Sequence, residues 1–568
     1  MKYACLAAFA SLRGALIMTA LASFAAAQNQ TWVRQIGTLD VDIGSAAASD
    51  GAGGVYVGGA TQGSLGGPHV WAYDVLLARY DGAGNQIWIR QFGSTGSSSG
   101  GSGGDESVAA AAPDGAGGVY VGGYTTGLIG GQHFGAADAW FAHYDGAGNQ
   151  VWLRQIGTLD NEVVTAAAPD GWGGVFVGGS TTGNLGGPNA GSHDSWLALY
   201  DGVGNQIWIR QFGTSQAEGP QALTPDGVGG MYVGGRTQGG LGGPNAGGYD
   251  AWFARYDRPG NQVWIRQLGT TTNDYTSTVA ADGAGGVFVA GGTYGSLGRP
   301  NDAGAGQAWL AHYDGAGNQT WIRQFGPPDG GAAVSAAVYD GAGGVYVSGR
   351  TTGSLGGPST GPCDAWLAHY DGAGSLLWIQ QFGSTEEEVP RDAAPDGMGG
   401  VYVVGETTGN LGGPNAGNWD IWVAHYDGLA TTRYCAPATQ NSTGEPGVLT
   451  ATGSNTVVAN NFTLSASQLP KRAFGFFLTS MMQGLTVTPG GSQGILCLGG
   501  GIGSFLGTGQ VLNTGASGSF TLALNLNAWP TLLAAVQPGD TWNVQCWYRD
   551  ANPSGTSNFT DAVTVTFQ

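Results

Sequence analysis

Apolar and polar positions along most of this chain fall into short alternating runs, cut by glycine-rich turns. Residues 138–181 show the pattern most clearly. Residues 139–144 are an aromatic-rich run, here run a. Asp145 to Asn149 is a turn, where glycine supplies backbone conformations that other residues avoid. Residues 150–156 are run b, residues 163–168 run c and residues 174–178 run d, and a loop from Thr181 to Pro188 follows. Alternation over such lengths predicts strands, and no helical period interrupts it. The four runs read as one four-stranded antiparallel sheet.

That unit recurs. Asp-Gly-x-Gly-Gly, followed by an apolar run, starts at Asp50, Asp114, Asp170, Asp226, Asp282, Asp340 and Asp396, in steps of 64, 56, 56, 56, 58 and 56 residues. A fixed period of this length means stacked copies of one supersecondary unit. The phase of the repeat predicts closure. The chain enters the repeat in run b at Thr31 and leaves it after a lone run a ending at Tyr426. Seven copies of each run result, and each end supplies what the other lacks. The expectation is an all-β fold, a seven-bladed β-propeller closed by a blade shared between its ends, which leaves only short protected edges. The pattern does not say which run lines the axis.

The shared wording, DAWLAHYDGAGNQIWIRQFG and then DGAGGVYVGGYTTG, resembles the SBBP-type β-propeller repeat of exported bacterial proteins. The likeness spans about residues 28–427. It implies architecture, with no single activity, cofactor or catalytic residue. After a linker at 428–433, residues 434–568 change composition. Short strands separated by turns predict a β-sandwich there. This segment is similar to small C-terminal domains of exported bacterial proteins, through Tyr434-Cys435, residues 496–500, 547–550 and 557–562. The likeness implies a Cys435–Cys497 disulfide, because both cysteines lie inside the matching motifs. It leaves Cys546 as a mid-strand thiol and Cys363 paired with it or free.

The first 27 residues read as a signal peptide: Lys2 and Arg13, an apolar stretch from Ala15 to Phe24, and small residues before Gln28. No later stretch is apolar enough for a transmembrane helix. Export to the surface, the medium or the periplasm follows, and the four remaining cysteines suit an oxidising compartment. The net charge of -20, with lysine only at Lys2 and Lys471, excludes phosphate-backbone binding and gives anionic membranes no purchase. The 109 glycines occupy turns and show no collagen period.

Two polar columns run through the repeats. Arg34, Arg90, Arg154, Arg210, Arg266 and Arg323 share a place in run b, with Gln380 in the seventh copy. Asp74, Asp138, Asp194, Asp250, Asp364 and Asp420 open run a, with Gln307 in the remaining copy. A structural role is expected for both, as an Arg–carboxylate pair or a loop hydrogen bond repeated with the unit. His143, His312, His369 and His425 share a column with Arg79, Leu199 and Arg255. Leu199 argues against a metal ring, and blade surface is the expectation. The Asp-Gly-x-Gly motifs raise calcium as the one cofactor to consider, but each has a single carboxylate and reads as turn chemistry. Residues 96–100 and 490–494 match Gly-x-Ser-x-Gly without the strand–turn–helix setting of a nucleophile elbow.

No catalytic residue, cofactor site or metal site is therefore assigned. The expected protein is a monomeric, non-enzymatic scaffold binding protein or glycan, with its Leu-Gly-Gly-Pro loops on one rim. The rivals are a polysaccharide lyase or hydrolase at the channel mouth and a structural cell-envelope component.

Overall fold

The computed structural model describes residues 30–567 apart from 95–103, 302–303, 429–430, 437, 453–456, 458–459, 461, 531–534 and 552–554. The signal-peptide reading and the motif at 96–100 lie outside the described residues.

The runs become strands, grouped differently from the sequence expectation. Run c (Glu162–Pro169), run d (Val175–Thr181), run a (Asp194–Tyr200) and run b (Gln206–Phe212) make one antiparallel sheet in that order. The preceding runs Asp138–Tyr144 and Gln150–Ile156 belong to the sheet before it. The reason lies in the links. The a–b and c–d turns are tight and keep neighbours paired. The b–c link carries the chain from the outer edge of one sheet to the inner strand of the next.

Burial explains the run compositions. Runs d and a are covered on both faces, with patterns such as BBBBBiB, and so read as continuous apolar stretches. Run c alternates (BiBiBiBi), and run b is largely exposed. The Asp-Gly-x-Gly-Gly turn joins c to d. Asp170 Oδ1 accepts the amides of Trp172 (2.8 Å) and Gly174 (2.7 Å), and Gly171 and Gly173 take φ of 80° and 85°.

Seven such sheets are present among the described residues. The last is Glu388–Pro395, Val401–Thr407, Asp420–Tyr426 and then Gln30–Ile36, so the N-terminal strand completes it as the outer strand. Run b of the N-terminal end and run a of the C-terminal end pair as the repeat phase predicts, but the shared sheet takes three strands from the C-terminal end and one from the N-terminal end, where the phase predicts one lone C-terminal strand completing the first sheet. Innermost strands touch in succession, and Asp42–Ser49 packs on both Ala110–Pro113 and Glu388–Pro395. Between sheets lie buried tryptophans, among them Trp140, Trp196, Trp252 and Trp422. Tyrosine hydroxyls reach the next sheet's turn: Tyr120 to Gly173 O (2.6 Å), Tyr346 to Gly399 O (2.8 Å) and, across the ends, Tyr402 to Gly53 O (2.5 Å).

After the repeats, Thr431–Tyr434, whose first three residues fall in the span 428–433 expected as linker, pairs with the final strand Thr556–Thr566. That strand continues to Thr541–Asp550 and Phe474–Ser480. A three-stranded sheet (Val448–Thr452, Thr463–Ser467, Phe520–Ala523) faces a core that includes Leu449, Leu464, Phe477 and Trp542. A hairpin, Met482–Val487 with Ile495–Gly499, stands beside it. Cys435 and Cys497 are joined by a disulfide, while Cys363 and Cys546 are buried free thiols.

Candidate functional site

The two repeated polar columns do not pair with each other; of the two expected arrangements, an Arg–carboxylate pair or a loop hydrogen bond, the contacts observed are hydrogen bonds to loops. Each Arg stacks on the Trp two residues before it, as Arg154 does on Trp152 at 5.5 Å. Arg154 Nε also donates to Gly204 O of the next sheet at 2.9 Å. Gln380, in the seventh copy, replaces that stack. The Asp column pairs with the glutamine that follows the Arg. Gln211 Nε2 donates to Asp194 Oδ2 (3.0 Å), while its Oε1 accepts the amides of Leu185 and Gly186. The Leu-Gly-Gly part of each loop is thereby tied down to the outer strand.

The histidine column holds the turn aspartate. His143, His312, His369 and His425 bond Asp114, Asp282, Asp340 and Asp396 at 2.7–3.0 Å, and Arg79 and Arg255 bond Asp50 and Asp226 at 2.9 Å. Leu199 leaves Asp170 without this partner. Arg258, from the next sheet's a–b turn, fills the gap at 2.8 Å. Sequence reading missed this because the partners lie 29 or 30 residues apart. The coincidence of Leu199 with the unusual Arg258 was the available signal.

Two predictions arise here. Arg258→Ala should destabilise the protein by about 1 kcal/mol, since Arg258 is half-exposed and screened by solvent. Adding Leu199→His should recover most of that loss in a denaturant titration. The second concerns pH. Burial pushes the carboxyls of Asp114, Asp282 and Asp340 up, but the histidine bonds and two backbone amides outweigh it and hold them below the usual range. Their ionised forms therefore favour the fold. This stabilisation is complete above the unfolded value near pH 4 and is lost as pH falls below it. Between pH 5 and pH 3 the thermal midpoint of a His312→Ala variant should fall less steeply than that of the unaltered protein, a comparison in which the carboxyls that burial pushes up cancel.

The sheets surround a central cavity of about 1150 Å³, lined by run c and the turns after it. Run c is thus the strand that lines the axis. Most of the wall is small: Ala47, Ala109, Ala167 and Ala337 alternate with Ser45, Ser277 and Ser335. One strand breaks the series. Glu388–Pro395 places Arg391 where the others carry Ser, Ala, Thr or Gln, and Asp392 where they carry Ala or Thr. Arg391 Nε donates to Glu406 Oε1 at 3.1 Å. Asp392 accepts the amides of Ala47 and Ala393, each at 2.8 Å, and burial pushes its carboxyl up to about 6 against those bonds.

A second column varies at the end of run d. Ala60, Tyr124, Ser180 and Gly292 share it with Arg236, Arg350 and Glu406. Arg236 lies over the ring of Tyr249 at 4.9 Å. These two join His193 and Ser180 around a smaller cavity of about 140 Å³, which shares Thr165 and Gln221 with the central one. Side chains at this mouth therefore differ from sheet to sheet, while the outer strands repeat. Among the described residues, no group of three or more His, Cys, Asp or Glu is placed to hold a metal, and no helix is long and apolar enough to cross a membrane.

Residues 263–298 match the family model of the SBBP β-propeller repeat. A curated relative, the regulatory protein FlaEY of Caulobacter vibrioides, is 28% identical over 167 residues, which is 26% of this chain and 18% of that protein. The chain thus spans under a fifth of that relative's length. Among solved structures, a gluconolactonase from Xanthomonas campestris has 13% identity and a TM-score of 0.30, over 62% of this chain and 90% of its own. YCF48 bound to D1 peptide has 10% and 0.36, over 71% and 99%. A polysaccharide lyase, an ulvan lyase, has 11% and 0.35, over 69% and 95%.

Proposed function

Starting from a chain built on the SBBP β-propeller repeat, we propose an exported, non-enzymatic binding scaffold for protein or glycan at the cell surface. In this reading residues 28–427 are a closed seven-bladed propeller and residues 434–568 an appended β-sandwich. One observation supports it above the rest. Side chains that break the repeat line the two cavities: Arg391, bonded to Glu406, and Asp392 in the central one and Arg236 in the smaller one replace small or neutral residues. Repetition elsewhere preserves packing. Variation at one place creates an asymmetric surface of the kind that recognises a ligand. The disulfide suits an oxidising compartment.

The test is binding of residues 28–568 to glycan and surface-protein arrays. Saturable binding that falls at least tenfold in Arg236→Glu, and not in the outer-strand variant Val263→Thr, is the expected result. Equal loss in both, or in neither, sinks the assignment to the mouth.

A second reading is an extracellular polysaccharide lyase or hydrolase, and Asp392 favours it. A carboxyl pushed up to about 6 on a cavity wall suits proton transfer. Release of oligosaccharide ends by the native protein and its loss in Asp392→Asn would replace the scaffold reading. Self-association without ligand would point to a structural envelope component.

A further inference from the structure

A second feature recurs where one sheet's run b meets the next sheet's run c, and it touches the proposed binding site only at Glu218, in the wall of the smaller cavity. Two buried carboxyls approach each other there. One is the aspartate opening run a, and the other opens the next run c. The pairs are Asp74 with Glu106, Asp138 with Glu162, Asp194 with Glu218, Asp250 with Asp274, Asp364 with Glu388, and Asp420 with Asp42, all buried. A glycine separates each pair. A Cβ built on Gly157 would lie 2.2 Å from Asp138 Oδ1 and 3.3 Å from Glu162 Oε2, and one on Gly213 would lie 2.3 and 3.0 Å from Asp194 Oδ1 and Glu218 Oε2.

The second oxygen of each aspartate is satisfied. Asp138 Oδ2 accepts Gln155 Nε2 (2.8 Å) and the Phe134 amide (3.0 Å), with His133 Nδ1 also at 3.0 Å. The oxygen facing the partner carboxyl is unsatisfied at four of the six junctions; at the other two, Asp364 Oδ1 accepts the Thr360 hydroxyl (2.9 Å) and the Gly361 amide (3.0 Å), and Asp74 Oδ1 lies 3.4 Å from the Trp71 amide. Oδ1 of Asp138, Asp194, Asp250 and Asp420 is buried without a hydrogen-bond partner, and those residues are 0–1% exposed. An unpaired buried polar atom is costly, and two like charges side by side raise that cost. The partner carboxyls show the strain: burial, with the neighbouring aspartate adding to it, pushes Asp42, Glu106, Asp274 and Glu388 upward.

The seventh junction differs, and it does so in three places at once. Gln307 replaces the aspartate, Ala332 replaces the partner acid, and Arg299 stands where the other copies have glycine (Gly67, Gly131, Gly187, Gly243, Gly357, Gly413). Arg299 Nη2 lies 3.3 Å from Gly326 O, and its Nε 3.4 Å from Gln307 Oε1. The exposed guanidinium thus reaches the junction from the surface. Where the chain supplies its own cation, both carboxylates are gone. Where it does not, both are present and buried.

We propose that the four junctions whose aspartate Oδ1 is unpaired, at Asp138, Asp194, Asp250 and Asp420, each bind one divalent metal ion of the calcium class, bridging that oxygen and the partner carboxylate. Hard oxygen donors select such ions, and a divalent charge neutralises both acids. Two carboxylates with water completing the shell correspond to the weak end of calcium binding, with Kd of about 10⁻⁴ to 10⁻³ M.

The test is unfolding and calorimetric titration of residues 28–568 with calcium chloride against a chelator. The expected result is a midpoint that rises by several degrees with calcium, returns with chelator, and titrates with four equivalents. Asp138→Asn with Glu162→Gln should remove one equivalent. Arg299→Gly with Gln307→Asp and Ala332→Glu should add one, which keeps the proposal testable if the first variant folds poorly. A midpoint indifferent to calcium but raised by mild acid would overturn it, because the pairs would then hold protons. An unchanged count in both variants would also overturn it, by moving the metal elsewhere. Loss of array binding bears on the mouth alone and leaves this result untouched.

Discussion

Deleting Gln30–Ile36 is expected to abolish the cooperative unfolding of the repeat region and leave the protein prone to association. The strand is the outer member of the last sheet, paired along its length with Asp420–Tyr426. Its removal bares that strand's edge, and a bare edge templates pairing with other chains. It also removes Trp32, whose ring packs 5.7 Å from Tyr402 and whose indole N–H donates to Gly82 O at 2.9 Å. Gln35 goes too, and with it the 2.9 Å donation to Asp420 Oδ2 and the acceptor for Leu411 and Gly412. Trp32→Ala is the milder version. Emptying a buried tryptophan site costs about 3–5 kcal/mol. Calorimetry should show a lowered midpoint for Trp32→Ala, and light scattering should show growth for the deletion. An unaltered midpoint and a monodisperse deletion variant would mean that the two ends do not latch the sheets.

The second large effect is expected from Cys435→Ser or Cys497→Ser. The bond closes a loop with a sequence separation of 62 residues, for which chain entropy predicts about 4 kcal/mol. Local packing makes the loss hard to absorb. Cys497 lies in the hairpin strand Ile495–Gly499, whose partner Met482–Val487 is largely exposed, with Leu485 at 73% and Val487 at 63%. Few apolar contacts hold this hairpin. Beyond the disulfide it is held by Gln545, which donates to Ile495 O (2.9 Å) and accepts the Cys497 amide (2.8 Å), by the Tyr434 hydroxyl, which donates to Cys497 O (3.0 Å), and by Gln483, which donates to Thr564 Oγ1 (3.1 Å). A reductant-sensitive calorimetric transition, separate from that of the repeats and absent in the serine variants, is the expected signature. Identical melts with and without reductant would contradict it.

The sequence made some of this legible and concealed the rest for identifiable reasons. The strands and the meeting of Thr31 with Tyr426's run followed from period and phase, because both are one-dimensional properties. Which runs share a sheet did not, since a strict repeat carries no mark of where one sheet ends. The Asp–Gln and His–Asp contacts join different columns, so neither column explains itself when read alone. The acid pairs were the best hidden. The run-c member is Asp in some copies and Glu in others, as at Asp42 and Glu106, and its partner belongs to the neighbouring sheet. Correlated exceptions were the readable trace: Gln307 with Ala332 and Arg299, and Leu199 with Arg258.

The place of the first strand also sets an order of events. Thr31 and His425, bonded through Oγ1 and Nδ1 at 2.6 Å, are 394 residues apart in the chain. A polypeptide made from its N-terminus completes this strand first and finds its partner last. Joining ends so distant costs about 5 kcal/mol of chain entropy before any contact is gained, and such non-local contacts slow folding. Until residue 426 is released, the first strand has no edge to join, and every earlier sheet must form within an open arc. The rate-limiting step in refolding should therefore be this final closure, with run c of the first sheet waiting beside an unoccupied neighbour until the last sheet arrives.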